Sequence, residues 1–356
     1  MKKKTEPETH SIELEKTDGT SDNLSVIKKL FNESFQLMNS RNLKKNEVNY
    51  YNDRMFITNK PTDKRINFKA NSLQDYKKAN QKLTKIIELN THLKYAFYLR
   101  GISNFQLKEY DKALCDFNKV LEIDIDCEKA YLARGHVKQH ILDYQGAETD
   151  FSKAIAIESE NAFAYCSRGY LKVKLEDLDD AEVDYQKAIE IDSEYANPYN
   201  GLGCIKLILK KYDDAVNDFT KAIEINPDLS EAYNNRGLAK MKLLEIHEAI
   251  IDYNKSLEIN PKNANTLDNR GKAYFELKKF EEAIKDFAKS IRINPNVPDV
   301  VSRLKIAKRE LKILLATQRN QSFYLTDNSP YTIYRKKMAE FAALRQQSEE
   351  NNSLPK

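Results

Sequence analysis

Between residues 94 and 297 the chain repeats a pattern of 34 residues six times, in units 94–127, 128–161, 162–195, 196–229, 230–263 and 264–297. A fixed period of this length has to be read before any other feature. Positions 4, 7–8 and 11–12 of each unit share one face of a helix. Positions 20, 24, 27–28 and 31 share one face of a second helix. Position 4 is Phe97, Tyr131, Tyr165, Tyr199, Tyr233 and Leu267. Position 8 is always Gly and position 20 always Ala, from Ala113 to Ala283. Position 24 is always aromatic: Phe117, Phe151, Tyr185, Phe219, Tyr253 and Phe287. Position 27 is small, and position 32 is Pro in the last three units. The spacing predicts two antiparallel helices per unit. Small residues at 8, 20 and 27 let the backbones approach, and aromatics fill the space beside them. Glu109-Tyr110-Asp111 and Lys211-Tyr212-Asp213 mark the turn and the acidic start of the second helix. Proline at 32 ends that helix.

This pattern of bulky 4, Gly 8, Ala 20, aromatic 24, small 27 and Pro 32 closely resembles the tetratricopeptide repeat family. The resemblance implies an all-α fold, an α-solenoid of tandem helix-turn-helix repeats forming a right-handed superhelix. It also implies that the first helices line a concave face, which in this family usually holds a peptide or partner helix. A degenerate unit is expected at 60–93, where Tyr76, Ala79, Leu83 and Ile86 fit positions 17, 20, 24 and 27 and Asn67 replaces the Gly. The array then covers 60–297.

Position 7 departs from the family, which usually has Leu there. Five units have Arg instead: Arg100, Arg134, Arg168, Arg236 and Arg270; the sixth has Leu202. Position 23 is Asp in every unit: Asp116, Asp150, Asp184, Asp218, Asp252 and Asp286. In a hairpin turning near position 16, position 7 lies across from about 24–25. The expected arrangement is an internal ladder of Arg–Asp pairs, for which a planar guanidinium is suited. The alternative is that the arginines grip an acidic ligand. Leu202 breaks the row, so Asp218 is expected to meet Lys206, Lys221 or water.

Three flanking segments complete the domain organisation. Residues 1–59 are mostly polar and expected to be disordered, apart from one amphipathic helix carrying Leu24, Ile27, Phe31, Phe35 and Met38. Residues 298–316 form an amphipathic stripe of Val300, Leu304, Ala307, Leu311 and Leu314, the end cap a solenoid requires. Residues 317–356 read as a basic, partly disordered tail with a possible helix at 330–347. Tyr334, Met338, Phe341 and Leu344 would share its face, to dock on a partner, fold back into the groove or stay mobile.

Net charge is +4, too small to argue for nucleic acid, but its distribution is uneven. Residues 298–356 carry 11 basic and 6 acidic side chains, against 37 and 39 in residues 60–297. Nucleic-acid or acidic-partner binding through this region is the second functional reading. The four cysteines show no CxxC spacing, which fits a reducing compartment. The start lacks an apolar stretch after its lysines, and no run of about 18 apolar residues exists. The cytoplasm is therefore expected, with the nucleus open, and no membrane insertion.

Inner-face positions are 2, 5, 9 and 12. In the first three units they include Tyr95, Tyr98, Ile102, Phe105, Leu132, Phe163 and Tyr170, apolar side chains suited to anchors of a helix or peptide. In the last three, Asn200 and Asn234, with Asn235 and Asn269 at position 6, supply amides that can pair with a peptide backbone. Co-chaperones of this family with a two-carboxylate clamp need Lys at position 5. Here that position is Tyr98, Leu132, Cys166, Asn200, Asn234 or Asp268, so the clamp is missing. His136 and His140 lie four apart with no third metal ligand evident, and no phosphate loop or nucleophile elbow is present. The expectation is a non-catalytic scaffold or adaptor for a peptide or helix of another protein, without cofactor, metal or catalytic residues. The sequence leaves its oligomeric state and partner unnamed.

Overall fold

The computed structural model describes residues 21–38, 72–295 and 298–326, with 333–334 and 337–338. Among the described residues every regular element is helical: α1 Ser21–Met38, α2 Leu73–Leu89, α3 Lys94–Gln106, α4 Tyr110–Ile123, α5 Glu128–His140, α6 Tyr144–Ile157, α7 Ala162–Lys174, α8 Leu178–Ile191, α9 Ala196–Ile208, α10 Tyr212–Ile225, α11 Ser230–Lys242, α12 Ile246–Ile259, α13 Ala264–Glu276, α14 Phe280–Ile293 and α15 Pro298–Thr326. This is an α-solenoid of tandem helix pairs. The chain divides into two compact units, residues 1–201 and 202–356, and the division falls within α9.

In the first unit the pairs are α3–α4, α5–α6 and α7–α8. The arrangement depends on the small residues. Ala113, Ala147 and Ala181 are fully buried. A Cβ built on Gly135 would lie 2.7 Å from the Phe151 ring, too close for any real side chain. Position 8 is therefore Gly because the aromatic of position 24 presses against its backbone. α1 packs on α2 ahead of these pairs. Phe31 and Met38 of α1 share one core with Tyr76, Ala79, Leu83 and Ile86 of α2 and with Phe97, Leu99 and Val120. Glu33 and Lys82 pair across the same contact. Residues 60–71, where the first helix of the degenerate unit was expected, lie outside the described residues, as do the side chains of Leu24 and Phe35.

In the second unit α11–α12 and α13–α14 pair in the same way, and α15 packs on α14. Val300, Leu304 and Ala307 of α15 cover Ala283 and Phe287. The sequence reading ends this helix at 316 and follows it with a linker, but α15 continues through Thr326. The reason is local. Gln318 to Ser322 have ordinary helix propensities, and the first helix breaker downstream is Pro330. Ile333, Tyr334, Lys337 and Met338 are helical and exposed, whereas Phe341 and Leu344 lie outside the described residues.

The turn inside each pair is a Schellman motif. After α3, the N–H of Glu109 donates to the Asn104 carbonyl at 2.8 Å and that of Lys108 to the Phe105 carbonyl at 2.9 Å. This closure needs a left-handed residue at position 15. The chain places Lys108, Leu142, Glu176, Lys210, Leu244 and Lys278 there, all with φ between 57° and 66° and none of them Gly.

Candidate functional site

The row of arginines lies between helices rather than on an open face. Arg134 on α5 donates from Nε to Asp150 Oδ2 at 2.9 Å and from Nη2 to Asp150 Oδ1 at 2.6 Å. Its Nη1 reaches back to Asn118 Oδ1 of the preceding second helix at 2.6 Å. Arg168 does the same to Asp184 and Ser152, Arg236 to Asp252 and Thr220, and Arg270 to Asp286 and Asn254. Arg100 grips Asp116 and donates to Thr84 Oγ1 at 3.3 Å. Each guanidinium thus ties its own second helix to the one before. Four of the five also lie over the aromatic ring at position 4.

A second cation joins several of these sites. Lys138, Lys172 and Lys240, all at position 11, meet Asp150, Asp184 and Asp252 at 2.9, 3.0 and 2.8 Å. Position 11 is Asn104 in the first unit of the row and Tyr274 in the last, so Asp116 and Asp286 have an arginine but no lysine from that position. Asn104 donates to Asp116 at 2.9 Å. Burial pushes the Asp116 carboxyl above its usual range, outweighing the pull of Arg100 and Asn104. At the Leu202 gap Lys206 meets Asp218 at 2.7 Å, and the Asp218 side chain is 17% exposed against 1% for Asp150. Lys206 was expected at Asp218, but Lys138, Lys172 and Lys240 and the polar acceptors of position 25 escaped the sequence reading, although both columns recur on the 34-residue ruler.

On the first-helix face of the first unit, the apolar candidates divide into packed and open side chains. Tyr95, Tyr98, Ile102, Phe105 and Leu132 are half-buried. Tyr98 lies against the Phe117 ring with centroids 5.9 Å apart, and burial raises its hydroxyl well above the usual value. Phe163 and Tyr170 on α7 are open, at 38% and 43% exposure. The two histidines stack among these rings. His140 lies 4.9 Å from Phe105, and His136 sits between Phe151 at 5.0 Å and Phe163 at 5.2 Å. Burial lowers the His136 imidazole to about 4, against a smaller opposing effect of its bond to Gln139. Asn200 is half-buried in the same unit.

In the second unit the amides bond to one another. Asn234 donates to Asn235 and Asn269 donates to Asn234, both at 3.1 Å. Lys272 donates to Asn269 at 3.3 Å. Asp268, buried on this face, is held by Arg303 of α15 through a two-pronged contact at 3.0 and 3.0 Å.

The model of the tetratricopeptide repeat matches residues 162–195, 196–229, 230–263 and 266–297. These four consecutive units are tetratricopeptide repeats. A tetratricopeptide repeat protein from Parabacteroides merdae superposes with a TM-score of 0.59 at 16% identity, over 80% of this chain and 99% of that one. A chain of the APC/C hetero-tetramer Cut9–Hcn1 gives a TM-score of 0.58 at 18% identity over 67% of this chain; the match spans 49% of that chain, about half its length. Pseudomonas aeruginosa PilF gives 0.51 at 21% identity, over 59% and 95%. At these identities the likeness concerns the fold. No curated protein matches the chain.

Proposed function

We propose that this chain is a non-catalytic scaffold or adaptor whose first-helix face receives a peptide segment or helix of another protein. The observation that carries the reading is the pair Phe163 and Tyr170, two open aromatic side chains seven residues apart on α7. Isolated exposed apolar residues need no explanation, but aromatics gathered on one face suit side-chain anchors. The amides of Asn234, Asn235 and Asn269 add donors and acceptors for a backbone in the second unit. The arginine row fits a structural role, since each guanidinium has acceptors on two second helices. No described helix is long and apolar enough to cross a membrane. None of the four cysteines is in a disulfide, which fits the cytoplasm, with the nucleus open.

The test uses a photo-crosslinking residue at Tyr170 or, on the outer side of α8, at the exposed Val183. The expected result is capture of the same partner from position 170 only, and loss of it in Phe163→Ala. Equal capture from both positions, or indifference to Phe163→Ala, overturns the reading. Tyr98→Ala is a poorer probe, because Tyr98 packs on Phe117 and its loss also costs stability.

A further inference from the structure

α15 does more than close the array. Its register continues the first helices. Counting from the start of each unit, Ser302, Arg303, Ile306 and Arg309 take the places that Asp268, Asn269, Lys272 and Phe275 hold on α13. The contacts repeat as well. Asn269 reaches back 35 residues to Asn234, and Arg303 reaches back 35 residues to Asp268. The face that carries Asn234 and Asn269 therefore runs on to α15.

α15 is also much longer than its neighbour, with 29 residues against 14 in α14. At about 1.5 Å per residue, its C-terminal half extends well past the helix that supports it. Two apolar side chains stand on its continued face, Ile306 at 50% and Ile313 at 48% exposure, one heptad apart. Arg309, Lys305 and Lys312 are exposed along one side of them and Lys308 lies farther round the helix, while Asp299 and the half-buried Glu310 are the two acidic residues on the seam. An end cap needs only a polar outer side. An exposed isoleucine seam bordered on one side by cations is a different arrangement.

We propose that this ledge seats an acidic amphipathic helix of a partner protein, with apolar side chains one heptad apart set among carboxylates. The proposal rests on the reading of the first-helix face as the binding face and names a partner class for its C-terminal end. Charge complementarity selects this occupant. A second copy docking through the same ledge would bring two basic faces together. Phosphate backbones have no use for the isoleucines. A bilayer surface calls for a broad apolar face, whereas here the apolar seam is narrow and interrupted by Arg309.

The test measures binding of two designed helical peptides to the full chain by fluorescence anisotropy. The peptides share their apolar residues and differ only in carrying Glu or Lys beside them. The Glu peptide is expected to bind at least about tenfold more tightly than the Lys peptide. Ile306→Asp with Ile313→Asp, and separately Arg309→Glu, should each weaken it about tenfold with helix content unchanged by circular dichroism. Phe163→Ala should leave this binding intact, so failure here is distinguishable from failure of the α7 site. Equal affinity for both peptides, no binding, or indifference to the ledge variants overturns the proposal. So does tighter binding to phosphatidylserine vesicles or duplex RNA, or self-association abolished by the same variants.

Discussion

Arg100→Leu should cost clearly more than Arg134→Leu, although both remove the same side chain from the same position. The difference lies in what each aspartate keeps. Asp150 is 1% exposed and retains Lys138 at 2.9 Å after Arg134 is gone. Asp116 is 4% exposed and retains only the Asn104 amide among its hydrogen-bond donors on that side. Leaving a buried charge without its partner costs on the order of 3–5 kcal/mol. Arg100 is itself 21% exposed, so solvent relieves part of this, and roughly 3 kcal/mol is expected. The lost bond to Thr84 is of the ordinary kind, about 1 kcal/mol or less. Arg134→Leu, with Lys138 still in place, should cost roughly 1–2 kcal/mol. Adding Lys138→Met to Arg134→Leu should bring that site close to Arg100→Leu.

Native-state hydrogen exchange of α4 and α6 is the suitable assay, because long repeat arrays need not unfold in one step. Acidification provides an independent check. The folded-state pKa of Asp116 is raised above its ordinary 3.8, so its burial costs stability above that raised value. The cost is relieved as pH falls through the window between the two. Arg100→Leu removes the cation opposing the rise, so its deficit should shrink on acidification more than that of Arg134→Leu. Equal costs for the two variants, or a larger cost at Arg134, would refute the assignment of Lys138 as the second cation.

Three other predictions concern single residues. Leu244 is 81% exposed with φ 66°, and Leu244→Gly should raise thermal stability by about 0.5–1 kcal/mol by removing left-handed strain; a loss would show that the turn tolerates Leu without cost. The Tyr253 hydroxyl is buried without a hydrogen-bond partner, so Tyr253→Phe should stabilise the chain by about 1 kcal/mol in urea titrations; a destabilised variant would mean the hydroxyl is satisfied. His136 titrates at about 4 when folded and 6.5 as a free group, so its contribution is complete above pH 6.5 and falls by about 1.4 kcal/mol per unit as pH drops to 4. His136→Leu should flatten that acid limb, and an unchanged limb would place the titration elsewhere.

Much of the fold was readable because the repeat multiplies weak signals. A single Gly or Ala says little, but Gly at position 8 six times, with an aromatic 16 residues later, specifies a backbone pressed against a ring. The charged column at position 23 was readable for the same reason. Other columns were passed over because lysines and small polar residues look like ordinary surface. Lys138, Lys172 and Lys240 carry no apolar periodicity, and neither do Thr84, Asn118 and Ser152. The end of α15 was misread because polar composition was taken for a linker, when no Gly or Pro lies between Ala316 and Pro330. Tyr98 was assigned to an open groove from its position alone, but a side chain pointing toward that face can also fold down onto Phe117. The left-handed turns had no glycine to announce them.

The division of labour among the columns bears on where partner selection resides. Positions 8, 20, 23 and 24 scarcely vary from unit to unit, because each is held by a contact that every unit must make. Gly meets the ring, Ala lets the helices close, and Asp receives a cation, the guanidinium in five units and Lys206 in the sixth. An arginine at position 7 has Nε, Nη1 and Nη2 all engaged, so it has little left to offer a ligand. Positions 2, 5, 9 and 12 have no such shared duty, and they differ freely along the same chain. Position 5 alone runs through Tyr98, Leu132, Cys166, Asn200, Asn234 and Asp268. A face built from unlike residues on like helices can distinguish one segment from another, whereas a face of identical rungs cannot. The arginine row therefore keeps the spacing of the helices, and under the proposed scaffold function the first-helix positions left free by it are the ones from which selectivity for a partner would come.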